Sequence, residues 1–308
     1  GVRRTRHPGA CRARPGQGLI PGVRKAVLFL VALALVAAVW ELYKSLGPEA
    51  GGEVLGWKIM PRTNRNAMPH VWDMTTRLFD PERRASGRAI WRVVLAGVWY
   101  SLRLAVLGLA IGATVGVLLA VLMARFGVVR RGLLPYLVVS QTVPLIALAP
   151  LVASWGGRLQ PFGWEWPKWL SVVVLGAFLA FFPVSVGTLR GLEATPATSL
   201  ELMRSYAATW GETLRKVRLP AAVPYIVPAL RLAAAAAVVG VVVAEISTGQ
   251  RGGIGRLVIE YGRTSSADPE RLFTAVFGAA VLGLLMALLI AGMDWFVMRG
   301  RQRVEEYS

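Results

Sequence analysis

Cysteine, histidine and charged residues are all scarce in this chain. Its 308 residues include one cysteine, Cys11, and two histidines, His7 and His70. One cysteine cannot form a disulfide framework within the chain, and two distant histidines do not make a metal centre. Charged residues form 17% of the sequence, whereas a soluble domain carries about 25%. The composition therefore argues against a soluble protein, and no metal site is predicted.

Motifs of nucleotide binding and catalysis are missing as well. The sequence contains no G-x-x-x-x-G-K-S/T phosphate loop, so any ATP must be bound by a separate subunit and no cofactor is predicted for this chain. The glycine-rich stretch 252–256 lacks the lysine and follows no buried strand, and it is interpreted as a loop or a bend. No predicted span or adjoining loop groups His, Asp and Glu residues, which argues against a membrane-bound enzyme.

Long apolar runs are what the sequence has instead. A helix needs roughly 20 mostly apolar residues to cross the hydrocarbon core of a membrane. Six runs meet this requirement, and nothing shows the alternation typical of a membrane barrel. The sequence therefore predicts an all-α polytopic membrane protein with six transmembrane helices. The predicted spans are 26–43, 104–124, 132–155, 169–189, 221–246 and 272–293.

The first apolar run has two interpretations. Basic residues precede it and small residues end it, as in a cleaved signal peptide. The run is longer than a usual signal core, and Trp40, Glu41 and Tyr43 make a poor cleavage site. We therefore expect a retained transmembrane helix over residues 24–43. Residues 1–23, rich in Arg, Pro and Gly, are predicted to be a disordered basic tail or an extension from a misplaced start.

The formal net charge of +18 fits either nucleic-acid binding or loops that face anionic lipid. The apolar spans favour lipid, so no nucleic-acid partner is predicted. Basic residues in short loops indicate the cytoplasmic side, and the turn 125–131 holds three arginines. Both termini are therefore predicted to be cytoplasmic, with a tail over 299–308. Residues 44–98 are predicted to be an external amphipathic segment, in the form of a surface helix or a plain loop, before a core of five spans over 99–298.

The segment 195–220, between the fourth and fifth spans, carries the most informative local pattern. Thr198 or Ser199 is suited to cap a helix whose first turn contains Glu201. The pattern predicts a pair of short amphipathic helices on the cytoplasmic side, with Pro220 opening the fifth span. An ordinary basic loop is the alternative. The apolar side and the bend are formed by Leu202, Met203, Tyr206 and Gly211.

This segment resembles the signature loop of permease subunits of binding-protein-dependent ABC importers, the type 1 transmembrane domain family. The signature reads E-A-A, three residues, G, nine residues, then I-x-L-P. Glu201 occupies the glutamate place, and Val217-Arg218-Leu219-Pro220 ends the motif at the same spacing. Larger residues replace both alanines, and Ala207 stands where the family has glycine, which implies little space at that position.

The resemblance extends over about residues 95–298 and is greatest to the nitrate, sulfonate, taurine and thiamine-precursor branch. It implies a type 1 ABC importer fold in the bacterial plasma membrane. It further implies a separate ATPase subunit that binds the loop, a homodimer of permeases, and an external binding protein that delivers a small solute. The residues implied in ATPase coupling are Glu201, Leu202, Met203, Tyr206, Ala207, Gly211, Val217, Leu219 and Pro220. A stand-alone secondary transporter is the alternative, although no internal repeat supports it.

A few polar residues lie inside the predicted spans. Arg231 is predicted either to pair with a group on another helix or to line a solute pathway that favours an anion, because an isolated charge in lipid is costly. Glu245 lies on roughly the same face but about 21 Å along the helix, too far to pair with Arg231 directly. The polar residues at 140–142, with Pro144 and Pro150, indicate an irregular helix near the pathway. The candidate pathway residues are Ser140, Gln141, Thr142, Arg231 and Glu245.

Glycines recur at every fourth position of the second predicted span, at Gly108, Gly112 and Gly116. Small residues on one helix face allow two backbones to approach closely. The pattern indicates helix packing within one subunit or a seam between two copies.

Overall fold

The computed structural model describes residues 21–54, 57–82, 87–158 and 166–305. Most of the predicted basic tail 1–23 and the last three residues of the tail 299–308 lie outside these ranges. The chain divides into two compact units, Gly1–Val71 and Trp72–Ser308.

The first unit contains one long helix and a small hairpin. Helix α1 runs over Pro21–Leu46, and strands β1 (Gly52–Val54) and β2 (Trp57–Met60) pair antiparallel. The end of α1 is tied to the chain that follows the hairpin. Trp40 Nε1 donates to the Pro69 carbonyl oxygen at 3.1 Å, and Glu41 accepts from the Val71 N–H at 2.6 Å. Most described apolar side chains of α1 are exposed, as in a helix that faces lipid.

The segment 44–98 differs from the predicted surface helix. It holds the hairpin and a short helix α2 of seven residues, Val71–Arg77, and the long helix α3 already begins at Ile90. Gly51 has a φ of +84° in the turn before β1, a conformation that ends regular helix. The prolines at positions 61 and 69 also interrupt helical hydrogen bonding between the hairpin and α2.

The second unit is a helical bundle. Three helices form its centre: α6 packs against both α3 and α9, which also contact each other, and α11 packs against α3 and α9. The remaining helices connect these elements. Their bounds are α3 Ile90–Arg125, α4 Gly127–Ser140, α5 Leu145–Arg158, α6 Lys168–Glu193, α7 Ala197–Ser205, α8 Trp210–Thr213, α9 Leu219–Thr248, α10 Ile254–Gly262 and α11 Pro269–Glu305.

The described residues contain five helices long and apolar enough to cross a membrane, or six if α4 and α5 together form one span. The predicted all-α polytopic fold is therefore confirmed. The third predicted span is not continuous, because α4 and α5 meet at an angle of 103°. The break lies between Ser140 and Leu145 and contains Pro144, whose ring cannot continue the helical hydrogen bonds.

The three glycines of α3 face α6 of the same chain. A Cβ at Gly112 would lie 2.7 Å from the Ala177 carbonyl oxygen and 2.8 Å from the Ala180 Cβ. A Cβ at Gly116 would lie 2.7 Å from the Phe181 carbonyl oxygen. The glycine pattern therefore serves packing within one subunit.

We expect Gly112→Ala to destabilise the bundle. The added methyl group overlaps backbone atoms of α6, which cannot move aside as a side chain can, and overpacking of this kind costs about 1–3 kcal/mol. The thermal unfolding midpoint of the purified protein measures the effect. Gly132→Ala is the matched control, since a Cβ at Gly132 meets no atom within 4 Å. Equal midpoints for the two variants would contradict the close α3–α6 contact.

Candidate functional site

The segment between α6 and α9 forms the predicted pair of short helices. Helix α7 begins at Ala197 with Pro196 as its N-cap, so the expected capping by Thr198 or Ser199 is wrong. The Leu200 N–H already donates to the Pro196 carbonyl oxygen at 3.3 Å, and the helix therefore begins before either hydroxyl residue.

Helix α7 ends in a Schellman motif centred on Ala207. The Ala207 N–H donates to the Arg204 carbonyl oxygen at 2.9 Å, and the Ala208 N–H donates to the Met203 carbonyl oxygen at 3.0 Å. Ala207 has a φ of +51°, in the left-handed region that glycine adopts without strain. The left-handed conformation at this position is therefore a physical reason for the glycine in the family signature. Ala207 is exposed within this chain, and the expected lack of space concerns its contact with a partner, which stays a prediction.

Helix α8 begins directly after this turn with a capping box. The Thr209 hydroxyl accepts from the Glu212 N–H at 3.3 Å, and the Glu212 carboxylate accepts from the Thr209 N–H at 2.8 Å. This reciprocal pair satisfies two backbone donors at the helix start. The connection between α7 and α8 therefore has a defined geometry.

The second helix of the pair is anchored to the ends of the membrane helices. Leu214 is buried against Leu192 of α6 and Ala222 of α9, and Trp210 packs at the edge of the same cluster. The Arg125 guanidinium, at the end of α3, lies 5.0 Å from the centre of the Trp210 ring. Helix α8 and Leu214, the residue that follows it, thus contact three helices of the bundle.

No break separates α8 from the fifth span. A π-helical turn, Leu214–Arg218, joins them, and the Leu219 N–H donates to the Leu214 carbonyl oxygen. The run Trp210–Thr248 is one helix of 39 residues. Pro220 lies in the first turn of α9, in keeping with the prediction that it opens the fifth span, and the helical run extends ten residues further back, to Trp210.

The outer side of α7 exposes large apolar side chains. Leu202 is 56% exposed and Tyr206 is 75% exposed, one helical turn apart. Met203 is half-buried and Glu201 is exposed. Of the other predicted coupling residues, Gly211 and Pro220 are exposed, whereas Val217 and Leu219 are partly buried.

Arg231 forms an ion pair with Asp294 of α11, through both its Nε and one terminal nitrogen. The arginine side chain is 62% exposed and the aspartate 10%. The geometry therefore favours the structural interpretation of Arg231 over a free cation in a solute pathway. Sequence reasoning missed Asp294, which follows the predicted end of the sixth span by one residue.

Glu245 lies in a buried hydrogen-bond network, and we propose a structural role for it. Its carboxylate accepts from the Ser101 hydroxyl at 2.7 Å and from the Gly255 N–H at 2.9 Å. The same Ser101 hydroxyl accepts from the Ile254 N–H at 2.9 Å. A Cβ at Gly253 would lie 2.1 Å from the Glu245 carboxylate, so this glycine-rich loop closes around the acid. The network fastens the start of α10 to α3 and α9.

The three polar residues of the third span lie at the α4–α5 break. The Ser140 hydroxyl donates to Leu137 and the Thr142 hydroxyl to Val139, both at 2.8 Å to carbonyl oxygens. The Gln141 amide nitrogen is buried and has no hydrogen-bond partner among the described residues. Gln141 is therefore the member of the three whose side chain retains an unused donor.

Residues 112–305 match the family model of the binding-protein-dependent transport system inner membrane component. The chain belongs to this family. It is 33% identical to a probable ABC transporter permease of Haemophilus influenzae, over 63% of this chain and 73% of the relative. It is 32% identical to the formylaminopyrimidine transport permease of Halalkalibacterium halodurans, over 64% of this chain and 74% of the relative. A putative aliphatic sulfonates transport permease of Bacillus subtilis is 26% identical over 96% of this chain and 94% of the relative.

Two solved structures share the fold. An inward-facing MetNI methionine ABC transporter has a TM-score of 0.56 and 19% identity, covering 66% of this chain and 94% of the matched chain. An amino acid ABC transporter has a TM-score of 0.51 and 21% identity, with the same coverage of 66% and 94%. The type 1 importer fold is thus confirmed. The family confirms a permease component of an ABC importer, a multi-pass inner-membrane protein that is not an enzyme.

We expect Ala207→Gly to stabilise the end of α7. Glycine removes the cost of a β-carbon in the left-handed region, about 1–2 kcal/mol. Amide hydrogen exchange of α7 should slow, because its last turn opens less often. Ala208→Gly is the matched control and should not slow exchange, since among described non-glycine residues the positive φ is confined to Ala207. Faster exchange in the Ala207 variant would count against the Schellman geometry.

Removal of the Arg231 side chain should destabilise the protein. In Arg231→Leu, the nearly buried Asp294 loses its partner, and an unsatisfied buried group costs about 1–3 kcal/mol or more when charged. The double variant Arg231→Leu with Asp294→Leu should recover the thermal midpoint, because an apolar pair can replace a buried ion pair. A single variant as stable as the parent would show that the pair is not structural.

Proposed function

We propose that the outer face of α7 binds the ATPase subunit of the importer and passes its motion into the fifth span. The observation that carries this proposal is the combination of exposed apolar residues on α7 with an uninterrupted helix from α8 into α9. An exposed apolar face on a short helix is typical of a protein contact. A continuous helix can transmit displacement without a flexible joint.

The local contacts support such a rigid connection. The Schellman turn at Ala207 and the capping box at Thr209 define the angle between α7 and α8. The buried Leu214 then holds α8 against the bundle. A push on α7 therefore reaches α9 through hydrogen-bonded backbone and packed side chains.

We further propose that the permease works as a homodimer. Helix α9 is buried on one face. On the opposite face, exposed residues recur every three to four positions and form a stripe along the helix. The exposed positions are Pro224, Tyr225, Pro228, Arg231, Leu232, Ala235 and Val239. Contact with a second copy would cover this stripe and place the α4–α5 break, with its free Gln141 donor, near a pathway between the two copies.

In this proposal the coupling end of the bundle is cytoplasmic and the opposite end meets the binding protein. Ion pairs hold that opposite end together: Arg77 binds Asp268 at 2.6 Å, and Arg271 binds Glu82 at 3.1 Å. Hydrogen bonding to Asp268 raises the pKa of Arg77. Burial raises the pKa of Tyr261 to about 12, so this phenol stays neutral and donates to Glu82 at 3.2 Å. These contacts support a firm surface for a protein partner.

We propose a small polar solute. The relatives' names specify formylaminopyrimidine, aliphatic sulfonates and nitrate, which are neutral or anionic compounds. The anionic preference inferred from Arg231 loses support, because Asp294 neutralises its charge within the subunit. Both a thiamine-precursor-like compound and a small anion therefore remain consistent with the proposal.

We expect Tyr206→Asp and Met203→Asp to abolish both ATPase co-purification and solute uptake. Each variant places a charge in an apolar contact, and burial of an unpaired charge is strongly unfavourable. Neither residue lies in a span or in the buried core, so the amount of permease in the membrane should stay normal. Arg204→Gln is the matched control, because it changes the net charge equally on the opposite side of α7.

Two results would overturn the proposal. One is retention of wild-type uptake and of a bound ATPase in both aspartate variants. The other is clear ATP hydrolysis by the purified permease alone, since the sequence has no phosphate loop.

A further inference from the structure

A polar cavity of about 340 Å³ lies beside the coupling helices, at the ends of several membrane helices. Arg130 of α4, Glu193 at the end of α6 and Arg218 of the π turn provide its charged groups, and Leu200 of α7 reaches the same space. A water molecule occupies about 30 Å³ in the liquid. The cavity therefore has room for a phosphate group and several waters.

The charged side chains that line the cavity carry a net positive charge. Arg130 pairs with Glu193 at 2.5 Å, which leaves Arg218 as the excess charge. The Arg218 Nε is buried and has no hydrogen-bond partner among the described residues. A buried N–H donor without an acceptor is costly. Arg218 also lines the cavity, so an anionic oxygen there would meet its guanidinium charge and the donors of Arg130 that Glu193 does not use.

The adjoining surface distinguishes the source of such an anion. A second cavity of about 430 Å³ shares Gly127 and Arg130 with the first, and is lined further by Arg131, Leu134 and Pro135. From there the exposed side of α4 continues with the large side chains Tyr136 and Val139. Arginines at a membrane boundary followed by an apolar helix face match a phospholipid, with a phosphate at one end and acyl chains at the other. A free phosphate would have no use for the apolar face.

We propose that this cavity binds the phosphate of an anionic phospholipid of the cytoplasmic leaflet. The phosphate accepts hydrogen bonds from Arg218 and Arg130, Arg131 supplies further positive charge, and the acyl chains follow α4. The assignment to the cytoplasmic leaflet rests on the proposed function. Since Arg218 ends the π turn and Leu200 belongs to α7, a bound head group contacts both parts of the coupling element. Anionic lipid would therefore strengthen the connection between the ATPase site and the fifth span.

The test is lipid titration of the purified full-length permease, followed by native mass spectrometry. The probes are phosphatidylglycerol, phosphatidylcholine and inorganic phosphate. We expect tighter binding of phosphatidylglycerol than of phosphatidylcholine, and an affinity roughly tenfold lower in Arg218→Gln, because the phosphate loses a charged hydrogen-bond donor; a tenfold change corresponds to about 1.4 kcal/mol. Arg215→Gln is the matched control: Arg215 is exposed on the same turn and does not line the cavity. Arg130→Gln provides a second variant should Arg218→Gln fold poorly.

Three results would overturn the proposal. They are equal binding of the two lipids, unchanged phosphatidylglycerol affinity in the folded cavity variants, and displacement of the lipid by equimolar inorganic phosphate, which would assign the cavity to a free anion. Lipid binding is measured without the ATPase. Failure to detect lipid binding would therefore not affect the proposal that the ATPase docks on α7. Failure of the ATPase to co-purify would likewise not affect the measured lipid binding.

Discussion

Backbone contact between α6 and its two neighbours is the interaction on which the bundle depends. The glycines of α3 let its backbone lie against α6. Gly240 of α9 lies so close to Gly176 of α6 that a Cβ on Gly240 would be 3.0 Å from the Gly176 Cα. Near the coupling end, a Cβ at Gly191 would lie 2.9 Å from Ala222. In lipid there is no hydrophobic driving force between apolar side chains, so van der Waals contact between closely packed backbones contributes much of the stability of the bundle. It also extends the rigid part of the protein as far as α8.

Polar groups within the bundle follow a second constraint. A charge or hydroxyl that leaves water must find a partner on a neighbouring element. Arg231 pairs with Asp294 on α11, and Glu245 accepts from the Ser101 hydroxyl on α3 and from the Gly255 N–H in the first turn of α10. The contacts of Arg231 with Asp294 and of Glu245 with Ser101 join helices that are far apart in the sequence. They therefore add specific pairing to the less directional contacts between small residues.

Much of this architecture could be predicted from the sequence because hydrocarbon thickness imposes a length on apolar runs. The coupling segment could also be identified, since the spacing from Glu201 to Pro220 is local. Other features depend on tertiary contacts. Nothing near Arg231 in the sequence indicates Asp294, and the role of Glu245 depends on a loop that folds back over it. The irregular helix at the α4–α5 break was predicted from Pro144 and the polar residues before it, but the angle was not, because apolar content alone does not distinguish a straight helix from a broken one. The hairpin was missed.

The π turn between α8 and α9 has a consequence for rotation about the helix axis. A π turn contains one more residue than the α-helical turn it replaces, and one residue in an α-helix corresponds to about 100°. The extra residue in Leu214–Arg218 therefore sets the direction in which α8, and α7 before it, project from the fifth span. Deletion of a single residue from this turn would remove none of the residues on the outer face of α7. It would rotate that face about the axis of the fifth span by roughly a quarter of a revolution. The length of this turn, as well as its composition, determines how a partner must approach.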